Sequence, residues 1–279
     1  MLNSHYTLKT KLEIKSVELP NGVKLPYVEQ GDPSGTPVLF LHGYTDSWRS
    51  FEGVLPHLSP SLHVFALTQR GHGDADRPMA GYHFQDLAAD LAAFMDILKL
   101  GPAVIAGHSM GSSIAQRFVL DYPERALGLV LIGSATTWRN PVVWELWEVV
   151  SRLTDPIDPA FVREFQESTL ARPVPQPFLD TIMQESLKVP ARVWRAAFEA
   201  HLEADFANEF GKIKLPTLVV WGDQDAIHPR SEQEALAAAI AGAQLVVYPG
   251  TGHGVHWEEP ERFAADLVAF IENLKAQTP

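Results

Sequence analysis

Gly107-His108-Ser109-Met110-Gly111 sets a serine between two glycines at the Gly-x-Ser-x-Gly spacing of a nucleophile elbow, a sharp turn that holds a hydroxyl outward. The spacing alone is weakly specific, but its surroundings sharpen it. The apolar run Ala103–Ala106 leads in, and Ile114, Phe118 and Val119 resume a helical period behind it, giving strand, turn and helix in order. A serine hydroxyl is a poor nucleophile at neutral pH, so it needs a base within reach and a third group to orient that base. Two further segments offer such groups. Trp221-Gly222-Asp223-Gln224-Asp225 puts two carboxylates at the end of an apolar run, and Gly250-Thr251-Gly252-His253-Gly254-Val255-His256 puts two imidazoles in a glycine-rich loop after the next run. On spacing alone either Asp and either His can serve.

These segments need a scaffold that brings them to one place. Pro37–Leu41, Leu62–Leu67, Ala103–Ala106, Leu127–Ile132, Thr217–Trp221 and Gln244–Tyr248 are short, continuous apolar runs, the pattern of strands buried on both faces. Ser16–Gln30 holds two extended runs around Pro20-Asn21-Gly22 and predicts an N-terminal hairpin. Between the strands, Leu87, Leu91, Phe94 and Leu98 share one helical stripe, Glu232–Ala241 predicts another helix, and Phe263, Leu267, Phe270, Ile271 and Leu274 predict a closing helix behind Pro260. Alternating strands and helices predict an α/β fold with a mostly parallel, doubly wound sheet. One interval breaks the rhythm. Residues 136–211 hold no buried strand run but carry Trp138, Trp144, Trp147 and Trp194 together with Pro156, Pro159, Pro173, Pro175 and Pro177. They predict a helical insertion, so that the core comprises residues 1–135 and 212–279 and the insertion forms a cap.

Composition removes several other chemistries. A net charge of −12 with no basic run disfavours nucleic acid and anionic membrane surfaces, which bind through clustered Lys and Arg. With no Cys, thiolate nucleophiles and Cys-ligated metals drop out. The spacings His-x-x-x-His, Gly-x-Gly-x-x-Gly and Gly-x-x-x-x-Gly-Lys are absent, so the expectation is chemistry without metal, dinucleotide or nucleotide cofactor. Residues 1–16 lack the unbroken apolar stretch of a secretory signal, and no run approaches the length of a membrane span; the expectation is a cytoplasmic, soluble chain.

Five landmarks fall in register along nearly the whole chain: Leu41-His42-Gly43-Tyr44, Arg70-Gly71-His72-Gly73, the elbow at Ser109, Trp221-Gly222-Asp223-Gln224-Asp225, and Gly252-His253 followed by Glu258-Glu259-Pro260-Glu261. With them the chain resembles the α/β-hydrolase superfamily, in its small branch with a helical cap, where the order is Ser, Asp, His. The resemblance implies Ser109 as nucleophile, His253 as base and Asp225 as the acid that orients it. It further implies that the backbone amides of Tyr44 and Met110 hold the oxyanion, that no cofactor is needed, and that His42 and His108 fill structural roles. Serine at the elbow argues against the relatives that use Asp there, the epoxide hydrolases and haloalkane dehalogenases. Carboxylic esters or lactones are then the expected small-molecule substrates, cleaved through an acyl-enzyme. Relatives with the same triad cleave carbon–carbon bonds or make peracids, and some members act as small-molecule receptors. Trp138, Trp144, Trp147, Trp194 and His256 are the candidates for a pocket that takes small to medium apolar or aromatic groups. The chain departs from the family's pattern at Thr68-Gln69, where Asp-x is common, at Ala75, where Ser is common, and at Ser112, where Gly is common.

Overall fold

A strand that is apolar on both faces must be covered on both, and the strands of this chain divide their side chains accordingly. The computed structural model describes residues 12–277, so the reading of the first residues as lacking a signal falls largely outside the described residues. The chain runs β1 (Ile14–Glu18), β2 (Lys24–Gly31), β3 (Thr36–Leu41), β4 (Leu62–Leu67), α1 (Phe84–Ile97), β5 (Ala103–His108), α2 (Met110–Asp121), β6 (Ala126–Ile132), α3 (Pro141–Val150), α4 (Pro159–Ser168), α5 (Gln176–Leu187), α6 (Ala191–Glu203), β7 (Thr217–Gly222), α7 (Arg230–Ala239), β8 (Gln244–Tyr248), α8 (Val255–Glu258) and α9 (Pro260–Gln277). One sheet has the order β1-β2-β4-β3-β5-β6-β7-β8; β2 is antiparallel to β1 and β4, and the pairs from β4 through β8 are parallel. The predicted hairpin is present, with Gly22 at φ +80° in its turn, a conformation that costs glycine little.

Alternate residues point to opposite faces of a strand, and they enter two separate cores. Leu39, Leu41, Phe65, Ile105, Leu129, Leu131 and Val219 pack with α1, α2 and the inserted helices. Val38, Phe40, Val64, Val104, Val130, Ile132 and Val220 pack with α9 and the loop after β3. All of these are buried, which fixes the register of each strand, because a one-residue slip would exchange the two faces.

Between β6 and β7 lie α3, α4, α5 and α6, each short and each with a proline at its first residue or immediately before it. Asn140 and Asp158 cap α3 and α4 by accepting from Val143 N–H at 3.0 Å and Ala160 N–H at 2.8 Å, and Pro141 and Pro159 occupy first-turn positions whose amides need no partner. An isolated antiparallel bridge, Thr137 with Asp205, ties the two ends of the segment together. Two boundaries differ from the sequence pattern. The helix expected from Glu232 begins two residues earlier at Arg230, directly behind Pro229, and Val255–Glu258 forms a helical turn, α8, where a free glycine-rich loop is expected. Among the described residues no helix is long and apolar enough to cross a membrane.

Candidate active site

The turn from β5 to α2 leaves no room for side chains at its flanks. A Cβ on Gly107 would lie 2.1 Å from the Gly111 carbonyl oxygen, and one on Gly111 would lie 2.1 Å from that of Leu41, so only glycine fits either position. Between them Ser109 is held at φ 53°, ψ −117°, a backbone region that L residues avoid. Its N–H donates to the Ile132 carbonyl at 2.9 Å, and its carbonyl accepts from Ser112 Oγ at 2.6 Å. Ser112 therefore takes a structural part in the turn. Ser109 also occupies the N-cap position of α2 without a side-chain capping bond, so its hydroxyl stands at the positive end of that helix.

His253 follows β8 and Asp225 follows β7, adjacent parallel strands whose ends open to the same edge of the sheet. His253 Nδ1 donates to Asp225 Oδ2 at 2.8 Å, while Asp225 Oδ1 accepts from the amides of Ile227 at 2.8 Å and His228 at 3.1 Å. Burial would push the Asp225 carboxyl up, but the neighbouring His253 imidazole and these donors hold it below the usual carboxylate range. Because Nδ1 carries the donated proton, Nε2 presents a lone pair; it is buried and has no hydrogen-bond partner among the described residues. Gly133 (φ +53°) makes space for the ring, since a Cβ there would stand 2.9 Å from His253 Nδ1. Glu258 fastens the loop, accepting from the amides of Gly252 and of Ala171, each at 2.9 Å. Asp223 is exposed and accepts from the Gly250 N–H at 2.6 Å, away from either imidazole.

The loop after β3 forms the facing side. His42 is buried and neutral; desolvation holds its pKa well below the ordinary value. Its Nδ1 donates to the Gly43 carbonyl at 2.8 Å and its Nε2 accepts from the Gln69 N–H at 3.0 Å. Gln69 returns a side-chain bond to the His42 carbonyl at 3.0 Å, and Thr68 Oγ1 accepts from Trp48 N–H at 3.2 Å. The departure at Thr68-Gln69 is thus tied into the loop through Thr68 Oγ1, the Gln69 amide and Gln69 Nε2, while Gln69 Oε1 is buried without a hydrogen-bond partner among the described residues. Among the described residues the amides of Tyr44 and Met110 have no protein acceptor. The Tyr44 hydroxyl donates to the Trp194 carbonyl at 2.5 Å, fixing the loop to α6.

A cavity of about 30 Å³ lies against Ser109 and His253, lined also by Tyr44, Asp46, His108, Phe165, Gln166, Thr169, Ile227 and Trp257. None of the four tryptophans proposed for the pocket, nor His256, reaches it. Trp144 is half exposed on α3, and Trp147 stacks on Phe198. Trp194 is fully buried behind Tyr44 and Phe165, and Trp138 donates from Nε1 to Ser113 Oγ at 2.8 Å. His256, placed on α8, turns inward onto Phe51 with ring centroids 4.8 Å apart and shares a 3.1 Å hydrogen bond with Ser50. The cavity's aromatic walls are Tyr44, Phe165 and Trp257, with the imidazoles of His108 and His253. Sequence gave no signal for Phe165, Gln166 and Asp46, which acquire their positions only when α4 packs over the loop after β3. Among the described residues no three His, Asp or Glu converge as a metal-binding group.

Comparison with known proteins agrees with this architecture. The chain is 28% identical to a non-heme chloroperoxidase of Streptomyces lividans, with 92% of this chain and 99% of that protein covered. It is 27% identical to Lipase 1 of Psychrobacter immobilis, with 96% of this chain and 87% of that protein covered. An esterase from Exiguobacterium antarcticum superposes with a TM-score of 0.84 at 26% identity, covering 92% of this chain and 99% of that one. The profile of the alpha/beta hydrolase family matches residues 38–266, most of the chain, and the protein is a hydrolase-fold enzyme belonging to the alpha/beta hydrolase family.

Proposed function

We propose that the protein hydrolyses carboxylic esters or lactones through an acyl-enzyme on Ser109, with His253 as base and Asp225 as its orienting acid. The observation that carries this reading is the 2.8 Å bond from His253 Nδ1 to Asp225, which leaves Nε2 as a free, buried acceptor on the wall that also holds Ser109. Ser109 Oγ attacks the carbonyl carbon as its proton passes to His253 Nε2, and the C–O double bond opens to an oxyanion. The unpartnered amides of Tyr44 and Met110 receive that oxyanion, and the N-terminus of α2 adds to their field. Collapse expels the alcohol, which takes the proton from His253. Water then attacks the acyl-enzyme, giving its proton to His253, and a second collapse releases the acid and restores Ser109. Asp225 holds the imidazole in the required tautomer throughout and stabilises its cation.

The helical segment, residues 136–211, serves as a cap in this reading. Phe165, Gln166 and Thr169 close the cavity, and its small volume favours short acyl groups. The similarity to an esterase and a lipase supports ester chemistry. The similarity to a chloroperoxidase favours a second use of the same acyl-enzyme, in which hydrogen peroxide replaces water and the product is a peracid.

The test is reaction with a fluorophosphonate, location of the adduct by mass spectrometry, and turnover of p-nitrophenyl acetate and butyrate. The expected result is labelling of Ser109 and hydrolysis, with acetate preferred. A folded protein that takes no label at Ser109 and turns over neither ester refutes the reading.

A further inference from the structure

Among the described residues Asp46 is the one carboxylate on the cavity wall, and the mechanism above does not use it. It lies two residues beyond Tyr44, whose amide faces the developing oxyanion in the proposed reaction. The side chain is 1% exposed. Its side-chain hydrogen bonds are few and long: Oδ1 accepts from Gln166 Nε2 at 3.2 Å and Oδ2 from Ser50 Oγ at 3.4 Å, against an ordinary N–H···O distance of about 2.9 Å, and the Gly43 backbone adds a weaker stabilising hydrogen bond. Among the described residues no Lys or Arg stands within ion-pair distance of it.

We propose that Asp46 is a specificity-determining residue that makes the cavity accept uncharged acyl groups and refuse anionic ones. The inference rests on the ester-hydrolase reading. A carboxylate placed among long, neutral hydrogen bonds is poorly solvated, so any second negative charge brought into so small a space meets it at short range and low screening.

The groups around Asp46 leave its charge uncompensated. From α4 comes the neutral amide of Gln166, and from the turn Trp48–Phe51 come Ser50 and Arg49, whose guanidinium lies 3.9 Å from Glu185. From α5 come Ser186 and Glu185; Lys188 holds the latter at 2.8 Å. His108, at the end of β5, and His256, on α8, are kept neutral by burial, the latter at about 3. Burial raises the Asp46 carboxyl to about 7 against the pull of Gln166, Ser50 and the Gly43 backbone, and Glu185 adds to the rise. Below that pH the wall is uncharged; above it the wall is anionic. Selectivity therefore grows with pH.

The experiment compares two esters of similar size, methyl propionate and monomethyl malonate, by methanol release in proton NMR between pH 5.5 and 8.5. His253 serves both substrates, so its ionisation cancels in the ratio of their kcat/KM values. The expected result is a preference for methyl propionate that increases about tenfold or more on passing through pH 7, the scale of one like-charge contact in a partly desolvated site. Asp46→Asn keeps the acceptor for Gln166 and should hold the ratio flat at its low-pH value. A ratio that is flat with pH in the unsubstituted protein overturns the inference, whatever becomes of the variant. A ratio that still rises in a folded Asp46→Asn protein overturns it equally. Absence of turnover of either ester, together with no phosphonate adduct at Ser109, removes the ester-hydrolase reading and the inference with it, and so is told apart from a flat ratio measured on an active enzyme.

Discussion

Replacing Ser109 with glycine should make the protein more stable and catalytically dead. At φ 53°, ψ −117° the Ser109 Cβ crowds its own backbone, a strain of about 1–3 kcal/mol for a non-glycine residue. Glycine relieves it but gives the unfolded chain more freedom, offsetting about 0.5–1 kcal/mol. Ser109→Ala separates the two effects: it keeps the Cβ and the strain, and the hydroxyl it deletes makes no hydrogen bond with the protein among the described residues. Relative to Ser109→Ala, Ser109→Gly is thus expected to be more stable by about 0.5–2 kcal/mol. Guanidinium unfolding followed by tryptophan fluorescence reads the difference as a rise in the midpoint at constant m-value. Both variants should be inactive towards p-nitrophenyl acetate. A Ser109→Gly protein no more stable than Ser109→Ala would refute the assignment of strain to this residue, and with it the view that the glycines at 107 and 111 force the serine into this conformation.

The two aspartates after β7 should separate sharply: Asp225→Asn should lower kcat by roughly 10³–10⁴-fold through loss of the His253 tautomer, whereas Asp223→Asn, exposed and still able to accept from Gly250, should stay within about threefold. Steady-state kinetics on one ester decides it, and the reverse order would sink the choice of acid. Trp194→Ala should cost about 3–5 kcal/mol in chemical unfolding, since the ring is fully buried among Tyr44, Phe161 and Phe165, and half-exposed Trp144→Ala well under half of that. Stability should also fall with acid. His42, His72, His108, His201 and His256 all have pKa values lowered by burial, His72 and His201 to about 4, so the unfolded chain binds protons that the folded one does not. Their stabilisation is complete above about pH 6.5 and is lost as pH falls toward 4; Asp46, raised to about 7, acts in the opposite sense but is one group against five. Unfolding midpoints measured from pH 8 to pH 4.5 should decline steadily, and a midpoint independent of pH would contradict neutral burial of these rings.

The parallel sheet was legible because its cause is local. A run such as Val38-Leu39-Phe40-Leu41 must be covered on both faces, and the structure sends Val38 and Phe40 to one core and Leu39 and Leu41 to the other. The elbow was legible for a similar reason: Gly107 and Gly111 answer contacts made within a few residues or with one neighbouring strand. The tryptophans were less informative. A large aromatic ring gains as much from sealing a helix against the sheet as from lining a cavity, and the side chain's chemistry does not distinguish the two; Trp194 and Trp138 seal, while Trp144 faces solvent. His256 misled for a different reason. Its neighbours Gly252 and Gly254 read as a free loop, yet Glu258 draws the chain into a helical turn by binding the Gly252 amide, and that turn rotates the ring toward Phe51.

The residues that give the cavity its character are those whose meaning depends on distance along the chain. Gln166 stands 120 positions from Asp46 and 20 from Ser186, and its single amide nitrogen reaches both, with Thr45 beside them. Each of these residue types is unremarked in a sequence, because Asp, Gln, Ser and Thr are ordinary in loops and helix ends. What changes them is removal from water. An aspartate in solvent titrates near pH 4, but the same side chain beneath α4, with long side-chain hydrogen bonds and no cation at hand among the described residues, becomes a group that titrates near neutrality beside the candidate nucleophile. Substrate charge preference is therefore written in the packing of α4 and α5 on the loop after β3, and substitutions at Gln166 should shift it in the same assay as substitutions at Asp46, by altering the hydrogen bond that partly stabilises the charged form.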